Sequence, residues 1–475
     1  MAFRQEPVPM MMRKFSYGLL AGAALMAAGA IHAQTIAPAP VVTPTAAPPA
    51  ADNGVLTGTV SDDTAWQSLG IAIPSFATNA DVPTAASAGS TAQLGRAIAE
   101  VITGDLKNNG LFKPTGPNSL PPIPIIQVLT PDFPTWSTRG AEMLVHGSVS
   151  AASNGNLVVG CYLYDVSLRQ QLVKATWEMA PGDWRRAAHK CADTVYSRLS
   201  GESPFFDSRI AYIAETGPKD HRMKRLAIMD SDGANHRFIT TGQAMALTPR
   251  FSPDYRKIVY LSYLNGRPRI YVYDVESASQ KLVAETGNPT FAPRWSPDGK
   301  WILYSMASAG NTNIYRVSAN GGISQKLTET PGINVGGSYS PDGSKIVFES
   351  DRGGSQQIYV MNADGSNQRR ISFFGGRAAT PEWSPRGDQI AFTHIAGNLR
   401  IAVMGVDGGG MRYLTNSWQD EAPTWAPNGR IIQFFRTEKG TGKTSIWQVD
   451  LTGRNERRLP TPVDGSDPSW GPIRQ

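Results

Sequence analysis

The sequence predicts a mainly β fold: a C-terminal six-bladed β-propeller, closed by the C-terminal strand and preceded by a small α/β domain. Three observations support this prediction: a recurring turn motif, the β-rich segments that follow each turn, and two incomplete repeats that complement each other. The motif resembles Ser-Pro-Asp-Gly, and its prolines stand at positions 253, 297, 341, 385, 427 and 472, in steps of 44, 44, 44, 42 and 45 residues. A fixed period of this length is the signature of a repeat architecture.

The turn motif has a physical explanation. Ser, Pro and Gly suit the first, second and fourth positions of a type I turn. The residue two positions before each marker proline is aromatic in every copy: Phe251, Trp295, Tyr339, Trp383, Trp425 and Trp470. Four positions before the marker stands another proline, except in the third copy, where Gly337 replaces it. One large ring per repeat suits packing between neighbouring sheets.

The segments after each turn predict three further strands per repeat. In the repeat that begins near residue 290, segments 302–304 and 314–317 are rich in β-branched, aromatic and aliphatic residues and predict the second and third strands, and Asn320-Gly321 then marks a hairpin leading to a short fourth strand. Four antiparallel strands per repeat are typical of a propeller blade. Residues 209–240 supply a second, third and fourth strand without a first, and segment 468–472 supplies a first strand alone. Together they complete a sixth blade and remove the exposed sheet edges.

The first 33 residues have the organisation of a secretory signal peptide. Arg13 and Lys14 precede a short apolar run at 17–31, and Ile31-His32-Ala33 suits cleavage after about Ala33. The run is shorter than the ~20 residues of a comfortable membrane span. A retained anchor is the alternative, and Met10, Met11 or Met12 is an alternative start. No Cys follows Ala33, so the sequence predicts export to the bacterial periplasm without lipoprotein processing.

The mature chain divides into three predicted parts. Residues 34–52 are rich in Ala, Pro and Thr and almost uncharged, which predicts a flexible arm; it is either a spacer or a segment that meets a partner. Residues 53–200 mix strand and helix patterns, including a helix that contains Leu94 and Leu106 and another over 181–199. Residues 201–475 form the propeller. The net charge of +6 is spread along the chain, so we expect no nucleic-acid partner.

The two cysteines leave two outcomes open. Cys161 lies on a predicted strand and Cys191 on the last predicted helix of the α/β domain, so both side chains are candidates for the interface between sheet and helix. A disulfide is allowed in an oxidising compartment. The alternative is two buried, unpaired thiols.

The sequence contains no pattern that predicts catalysis, a metal or a cofactor. Of the histidines after the signal, none stands at metal-ligand spacing from another, and His189 is expected to be structural. Residues 230–235 faintly resemble a calcium loop, but Thr241 stands where an EF-hand needs Glu, so a hairpin turn is favoured. The alternative function is a cell-wall carbohydrate-binding or hydrolysing propeller, because Asp420 and Glu421 share a loop with Trp418.

Residues 185–213 and 147–166 carry a resemblance to a known family. The first segment resembles the junction between the two domains of TolB proteins, and the second contains Gly-Ser-Val and Cys-Tyr-Leu-Tyr-Asp-Val. The order of signal, α/β domain and six-bladed propeller is also similar. The resemblance implies a non-enzymatic periplasmic adaptor of the Tol–Pal system that binds the lipoprotein Pal and links to TolA. It implies roles in cell division and outer-membrane integrity, and contact with membranes only through partners.

Loops that differ between blades predict the partner-binding face, because recognition concentrates in variable loops on a rigid scaffold. The segments before each inner strand should ring the mouth of the central channel. We expect the partner, which the resemblance identifies as Pal, to contact Thr290, Asn334, Val335, Thr380, Asp420 and Glu421. The chain itself is expected to be a monomer.

Overall fold

One five-stranded sheet and six four-stranded sheets make up the computed structural model, which describes residues 68–474 except 219–220, 265 and 285. The predicted signal peptide and Ala/Pro-rich arm lie outside the described residues. The predicted fold class, a six-bladed propeller preceded by an α/β domain, is confirmed.

The α/β domain is a mixed sheet in the order β2-β1-β3-β4-β5. Its first strand runs parallel to both neighbours, and the last three strands form an antiparallel meander. The strands are β1 (Leu69–Ala72), β2 (Phe112–Thr115), β3 (Met143–Ala151), β4 (Leu157–Asp165) and β5 (Gln170–Met179). The helices are α1 (Thr91–Asn108), α2 (Phe133–Thr138) and α3 (Trp184–Ser200).

Helices α1 and α3 begin and end where their sequences provide signals. Ser90 caps α1 by accepting from the backbone N–H of Gln93, whose side chain in turn accepts from the N–H of Ser90. The predicted apolar stripe that includes Leu94 and Leu106 is buried against the sheet. A short 3-10 turn at Pro181–Asp183 leads into α3, and α3 ends at Gly201 with φ of 73°, a conformation that glycine adopts without strain.

A disulfide joins β4 to α3. Cys161 and Cys191 are bonded, with their Cα atoms 5.9 Å apart, and both side chains are fully buried. Of the two outcomes that the sequence leaves open, the structure shows the bonded one. The bond ties the central strand of the meander to the helix that contacts the propeller.

Each propeller blade is a four-stranded antiparallel sheet. Blades 2 and 3 comprise β9 (Ala246–Phe251), β10 (Lys257–Ser262), β11 (Arg269–Asp274), β12 (Gln280–Leu282), β13 (Thr290–Trp295), β14 (Trp301–Ser308), β15 (Asn311–Ser318) and β16 (Gln325–Lys326). Blades 4 and 5 comprise β17 (Asn334–Tyr339), β18 (Lys345–Ser350), β19 (Gln357–Asn362), β20 (Arg369–Arg370), β21 (Arg377–Trp383), β22 (Gln389–Ala396), β23 (Asn398–Gly405) and β24 (Arg412–Tyr413). Blade 6 comprises β25 (Asp420–Trp425), β26 (Ile431–Thr437), β27 (Thr444–Asp450) and β28 (Glu456–Arg458).

The recurring motif forms the tight turn between the first and second strands. In blade 3 the N–H of Gly299 donates to the carbonyl of Ser296 at 3.0 Å, as in a type I turn. The Ser296 hydroxyl accepts from the N–H of Trp301 at 2.9 Å, which fixes the start of the next strand. Gly299 has φ of 68°, and Tyr255 takes the same left-handed conformation in blade 2, which lacks the glycine.

Blade 1 is assembled from both ends of the propeller sequence. Its inner strand β29 (Asp464–Ile473) pairs antiparallel with β6 (Ser208–Thr216), followed by β7 (Met223–Asp230) and β8 (Arg237–Phe238). The indole N–H of Trp470 donates to the Ser208 hydroxyl at 2.8 Å, and Arg474 forms an ion pair with the buried Asp207. The C-terminal strand therefore closes the ring, as the sequence predicts.

The junction between the two parts is buried and hydrogen-bonded. The Asp193 carboxylate of α3 accepts three successive backbone N–H groups, from Phe205, Phe206 and Asp207, at 2.7, 2.7 and 2.9 Å. The Phe205 and Phe206 rings pack against Tyr196, and the apolar core runs without interruption from the α/β domain into blades 1 and 6. The α/β domain is therefore fixed to one side of the ring.

Removal of residues 466–475 tests the closure. The truncation deletes most of β29 and leaves the edge of β6 unpaired, so we expect aggregation or loss of cooperative unfolding. Thermal unfolding followed by circular dichroism, together with size-exclusion chromatography, measures both effects. A melting curve unchanged from that of the parent contradicts the closure.

Removal of the disulfide tests its contribution to stability. Cys161 and Cys191 are 30 residues apart in sequence, and a cross-link of such a loop restricts the unfolded chain. We expect the Cys161→Ala/Cys191→Ala variant to lose about 2–4 kcal/mol in denaturant unfolding. Thiol titration of the oxidised, denatured parent should detect no free thiol. Two reactive thiols per chain would show that the bond does not form.

Candidate partner-binding face

The alternating strand directions give the propeller two unlike faces. The turns between first and second strands, and the hairpins between third and fourth strands, lie on one face, which we name the turn face. The opposite face, named the loop face, carries the loops between second and third strands and the connections between blades. These connections are 239–245, 283–289, 327–333, 371–376, 414–419 and 459–463.

The α/β domain is bound to the turn face. Glu202, just after α3, accepts hydrogen bonds from Arg386 at 2.9 Å and from Arg430, both on turns between first and second strands. Asn428 donates to the Tyr196 hydroxyl at 3.2 Å, and the Asn455 amide donates to a carbonyl at the end of α1. Among the described residues, the hydrogen bonds that join the α/β domain to the blades end on this face, at blades 1, 5 and 6. None of these hydrogen bonds between described residues reaches the loop face.

The six residues predicted to contact a partner lie within the inner strands rather than in the loops before them. Thr290, Asn334 and Asp420 each begin an inner strand and are at most 1% exposed, and Val335 is also buried. Thr380 and Glu421 are half-buried. The structure thus brings the six to the inner rim of the ring, and most of their side chains have structural hydrogen bonds.

Asn334 is the centre of one such network. Its side-chain amide donates to the carbonyls of Thr312 and Thr330 at 3.1 and 3.2 Å. Its side-chain oxygen accepts from the Ser350 hydroxyl at 2.8 Å and from Arg352 at 2.6 Å. The Asn334 side chain therefore holds blade 3 to blade 4. If the blades separated, its buried partners would lose their hydrogen bonds, and each unpaired polar group would carry a desolvation penalty.

Asp420 forms a buried two-point ion pair. Both of its oxygens accept from Arg436, at 2.6 and 2.9 Å, and the same guanidinium donates to Glu456 at 2.7 Å. These carboxylates raise the pKa of Arg436 despite its burial. Glu421 is the next residue along the strand, so its side chain points to the opposite side of the sheet. The two carboxylates therefore do not face a common substrate position, as a hydrolase would need.

Thr380 lies at a bulge that recurs once in each inner strand. It has φ of 51°, and the register of its strand shifts at this point. Equivalent positive-φ positions are Thr248, Ala292, Gly336, Ala422 and Asp467. In five blades the bulged residue precedes a proline; in blade 4, Gly336 occupies the bulged position and Gly337 stands in place of the proline. The bulge directs the N–H of Thr380 to Glu349, at 2.7 Å.

Buried acids inside the ring are functional candidates that the sequence analysis missed. Glu349 is fully buried, and burial raises its pKa to about 8. Glu382 accepts from Thr424 at 2.9 Å and lies 3.3 Å from Arg294. The sequence contained a signal for Glu349, because an acid at this position departs from the apolar Leu261 of blade 2 and Phe435 of blade 6 at the equivalent position. Burial also raises the pKa of Glu382, so burial favours the neutral form of both acids.

Bulky apolar side chains project from the loop face and were also missed as contact residues. Phe373 is 76% exposed, Trp418 45% and Met245 41%, and all three lie in connections between blades. Lys439 lies over the Trp418 ring, 4.7 Å from its centroid. Aromatic residues and Met are enriched at protein interfaces. The sequence signal that could have identified these contact residues was the presence of a bulky apolar residue within a loop.

One cluster joins the α/β domain to blade 1 and offers three possible metal-ligating side chains. His189 Nδ1 lies 2.7 Å from the Asp105 carboxylate, and Asp232 accepts a hydrogen bond from Arg185. Burial alone lowers the pKa of His189, but the carboxylates of Asp105, Asp232 and Asp230 outweigh burial and raise this pKa to about 9. Because the cationic His189 and Arg185 balance the carboxylates, the arrangement is that of an ion-pair network, which agrees with a structural His189.

Within the described residues, no helix combines the length and hydropathy needed to span a bilayer.

The hairpin that contains Asp230 closes with hydrogen bonds between Asp230 and Ala234 and between Gly233 and Asp230. This confirms the predicted turn at 230–235.

Comparison with known families identifies both parts of the chain. A family model described as the TolB beta propeller domain matches residues 196–474. A second, described as the TolB amino-terminal domain, matches residues 63–172.

Curated relatives are similar over most of their length. A Tol-Pal system protein TolB 1 from Novosphingobium aromaticivorans is 77% identical over 450 residues, which cover 95% of this chain and 98% of the relative. A Tol-Pal system protein TolB from Zymomonas mobilis is 66% identical over 407 residues, covering 86% of this chain and 88% of the relative. The crystal structure of TolB from Acinetobacter baumannii superposes with a TM-score of 0.74 at 27% identity, covering 86% of this chain and 97% of that chain.

The His189 cluster predicts a pH dependence of stability. The folded-state pKa of about 9 exceeds the ~6.5 of an exposed histidine. The contribution is therefore fully present below pH ~6.5 and is lost as pH rises through about 9, by on the order of 3 kcal/mol at most. We expect the melting temperature to fall between pH 6.5 and 9.5.

The variant His189→Gln provides the comparison, since it removes the titrating group. Its melting temperature should be lower than that of the parent near pH 6.5 and should approach it near pH 9.5. Parallel curves for parent and variant across this range would exclude His189 as the source of the dependence.

Proposed function

This chain belongs to the TolB family and is a component of the Tol–Pal system, and on that premise we propose that it is a non-enzymatic periplasmic adaptor. It binds the peptidoglycan-associated lipoprotein Pal through the loop face of its propeller and links to the TolA complex of the inner membrane. Through these contacts it supports inward movement of the outer membrane at cell division and the integrity of the envelope.

The proposal depends on one observation: the two faces of the propeller have different contacts. The α/β domain occupies part of the turn face, whereas the loop face presents Met245, Phe373 and Trp418 to solvent. Its loops also differ between blades: Gly397 alone joins β22 to β23, whereas 438–443 join β26 to β27. A rigid ring with unlike loops and exposed apolar anchors suits recognition of a protein surface.

The six predicted contact residues support the loops that carry Met245, Phe373 and Trp418. Thr290, Asn334, Val335 and Asp420 are buried, so they position the rim from which the loops project. Thr380 and Glu421 are half-buried and remain proposed contacts. Burial raises the pKa of Glu421, so a cationic partner group at the rim would favour the ionised form of this side chain.

The alternative of a hydrolytic carbohydrate site at 418–421 has less support. The Asp420 carboxylate is fully buried and held at both oxygens by Arg436, so it is not positioned to transfer a proton to a substrate. Adaptor function needs no such group, and the relatives are named as system components. The proposed link to TolA and the periplasmic location rest on family membership and on the signal pattern in residues 1–33.

Capture of Pal by the purified mature chain tests the proposed face. We expect Phe373→Ala and Trp418→Ala each to weaken capture by ~1–3 kcal/mol, because truncation of a central anchor removes its buried apolar contact. Surface plasmon resonance with immobilised Pal measures the change. These substitutions are preferable to Thr290→Arg or Val335→Arg, because an arginine at either buried position would disrupt the packing of the inner strands.

A matched control lies on the turn face. Ile323 is 97% exposed and lies between β15 and β16, so Ile323→Ala removes an exposed apolar side chain of similar kind without changing the loop face. We expect it to bind Pal like the parent. If both loop-face variants fold and bind normally while Ile323→Ala loses binding, the face is assigned wrongly.

A further inference from the structure

The turn face carries a groove between blades 2 and 3, away from the contacts of the α/β domain at blades 1, 5 and 6. The groove has a volume of about 500 Å³, within the range of ~300–1,000 Å³ that is usual for small-molecule sites. Its walls are the turns 252–254 and 297–301, together with Trp295 and residues 318–320.

Trp301 makes this groove different from its counterparts in other blades. The first residue of the second strand is Trp301 in blade 3, whereas blades 2, 4, 5 and 6 have Lys257, Lys345, Gln389 and Ile431 at this position. Ile431 is 8% exposed and belongs to the core shared with the α/β domain. An apolar side chain at this position in blade 6 is thus covered by the α/β domain. Trp301 is half-buried and lines the groove.

Both tryptophan rings are held in place before any ligand arrives. The Trp295 indole N–H donates to the carbonyl of Arg250 at 3.1 Å. The Arg316 guanidinium lies over the Trp301 ring, 4.8 Å from its centroid, and itself donates to the carbonyl of Ala363 at 3.0 Å. Fixed rings bind with little loss of side-chain entropy.

Charged side chains of both signs border the rings. Asp254, Lys257, Asp298 and Lys300 are exposed and line the groove. Hydrogen bonds from the Ser296 hydroxyl and the Lys300 N–H lower the pKa of Asp298, so this carboxylate is an ionised acceptor at neutral pH. The lysine ammonium groups are donors.

We propose that this groove is a binding site for a short oligosaccharide. The apolar C–H face of a sugar ring would pack on the part of Trp301 that lines the groove rather than on the part under Arg316, because a π face carries partial negative charge. A sugar hydroxyl both donates and accepts, so neighbouring hydroxyls can donate to Asp298 and accept from Lys257 or Lys300. A proline-rich peptide would also pack on the rings, but it lacks the N–H groups that would pair with the carboxylates. The site goes beyond the proposed function because it lies on the face opposite the proposed Pal surface.

Titration of the full mature chain with chitotetraose, an uncharged amino-sugar oligomer, tests the site by isothermal calorimetry and tryptophan fluorescence. We expect weak, saturable binding by the parent. Trp301→Lys introduces the side chain that Lys257 and Lys345 provide at this position in neighbouring blades, so the variant is expected to fold. Its affinity should be at least tenfold lower. Lys345→Ala, at the same position of blade 4, is the matched control and should bind like the parent.

The proposal would be overturned if the parent showed no saturable binding. It would also be overturned if Trp301→Lys bound chitotetraose as tightly as the parent and had an unchanged melting temperature. The third contrary outcome is displacement of chitotetraose by a synthetic peptide of residues 35–52 that itself binds more tightly. Pal capture by Trp301→Lys should equal that of the parent. Failure of the saccharide site is therefore distinguishable from failure of the proposed partner face.

Discussion

The pairing of β29 with β6 sets the geometry of the whole propeller. Blade 1 has four strands only because β29, from the C-terminal end of the repeats, pairs with β6 from their N-terminal end, and without β29 the edge of β6 would be open. The paired strands bring Trp470 to Ser208 and Arg474 to Asp207, next to the segment that leaves α3. The same contacts that close the ring therefore also fix the α/β domain against blades 1 and 6.

Closure also determines how polar groups are used inside the ring. Each inner strand contains a residue with positive φ one position before the Pro position, and at Thr380 this conformation directs the backbone N–H to the buried Glu349. The buried Asn334 side chain pairs with the Thr312 carbonyl, and the buried Asp420 carboxylate pairs with Arg436. The inner rim is buried and hydrogen-bonded, whereas the connections between blades differ in sequence. A surface that must recognise a partner is best built on such a rim, because little entropy is lost when its loops dock.

The fold could be predicted from the sequence because its signals are local and repeated. Pro297 and Gly299 encode a turn through their own backbone preferences, and the period of the motif counts the blades. The candidate site could not be predicted to the same depth. Thr290 and Asn334 follow variable loops in sequence, but whether a side chain points to solvent depends on where the strand begins and on partners such as Arg352, which is distant in sequence. The Asp105–His189–Asp232 cluster likewise combines three separate segments, so no spacing rule would reveal it.

Departures from the repeat are more informative than the repeat itself. Where every blade needs the same backbone, a residue that differs from its equivalents either compensates for another change or interacts with something outside the blade. Gly336 is of the first kind, since it adopts the bulge conformation in the blade that lacks the proline. Ile431 is of the second kind, since the α/β domain covers it. Trp301 combines both kinds, since its ring lies under the guanidinium of Arg316, at a position that holds Val272, Val360, Val403 and Gln448 in the other blades, and its edge also lines the groove. Arg316 accounts for one part of the Trp301 ring, and only the part that lines the groove is left for the ligand that we propose.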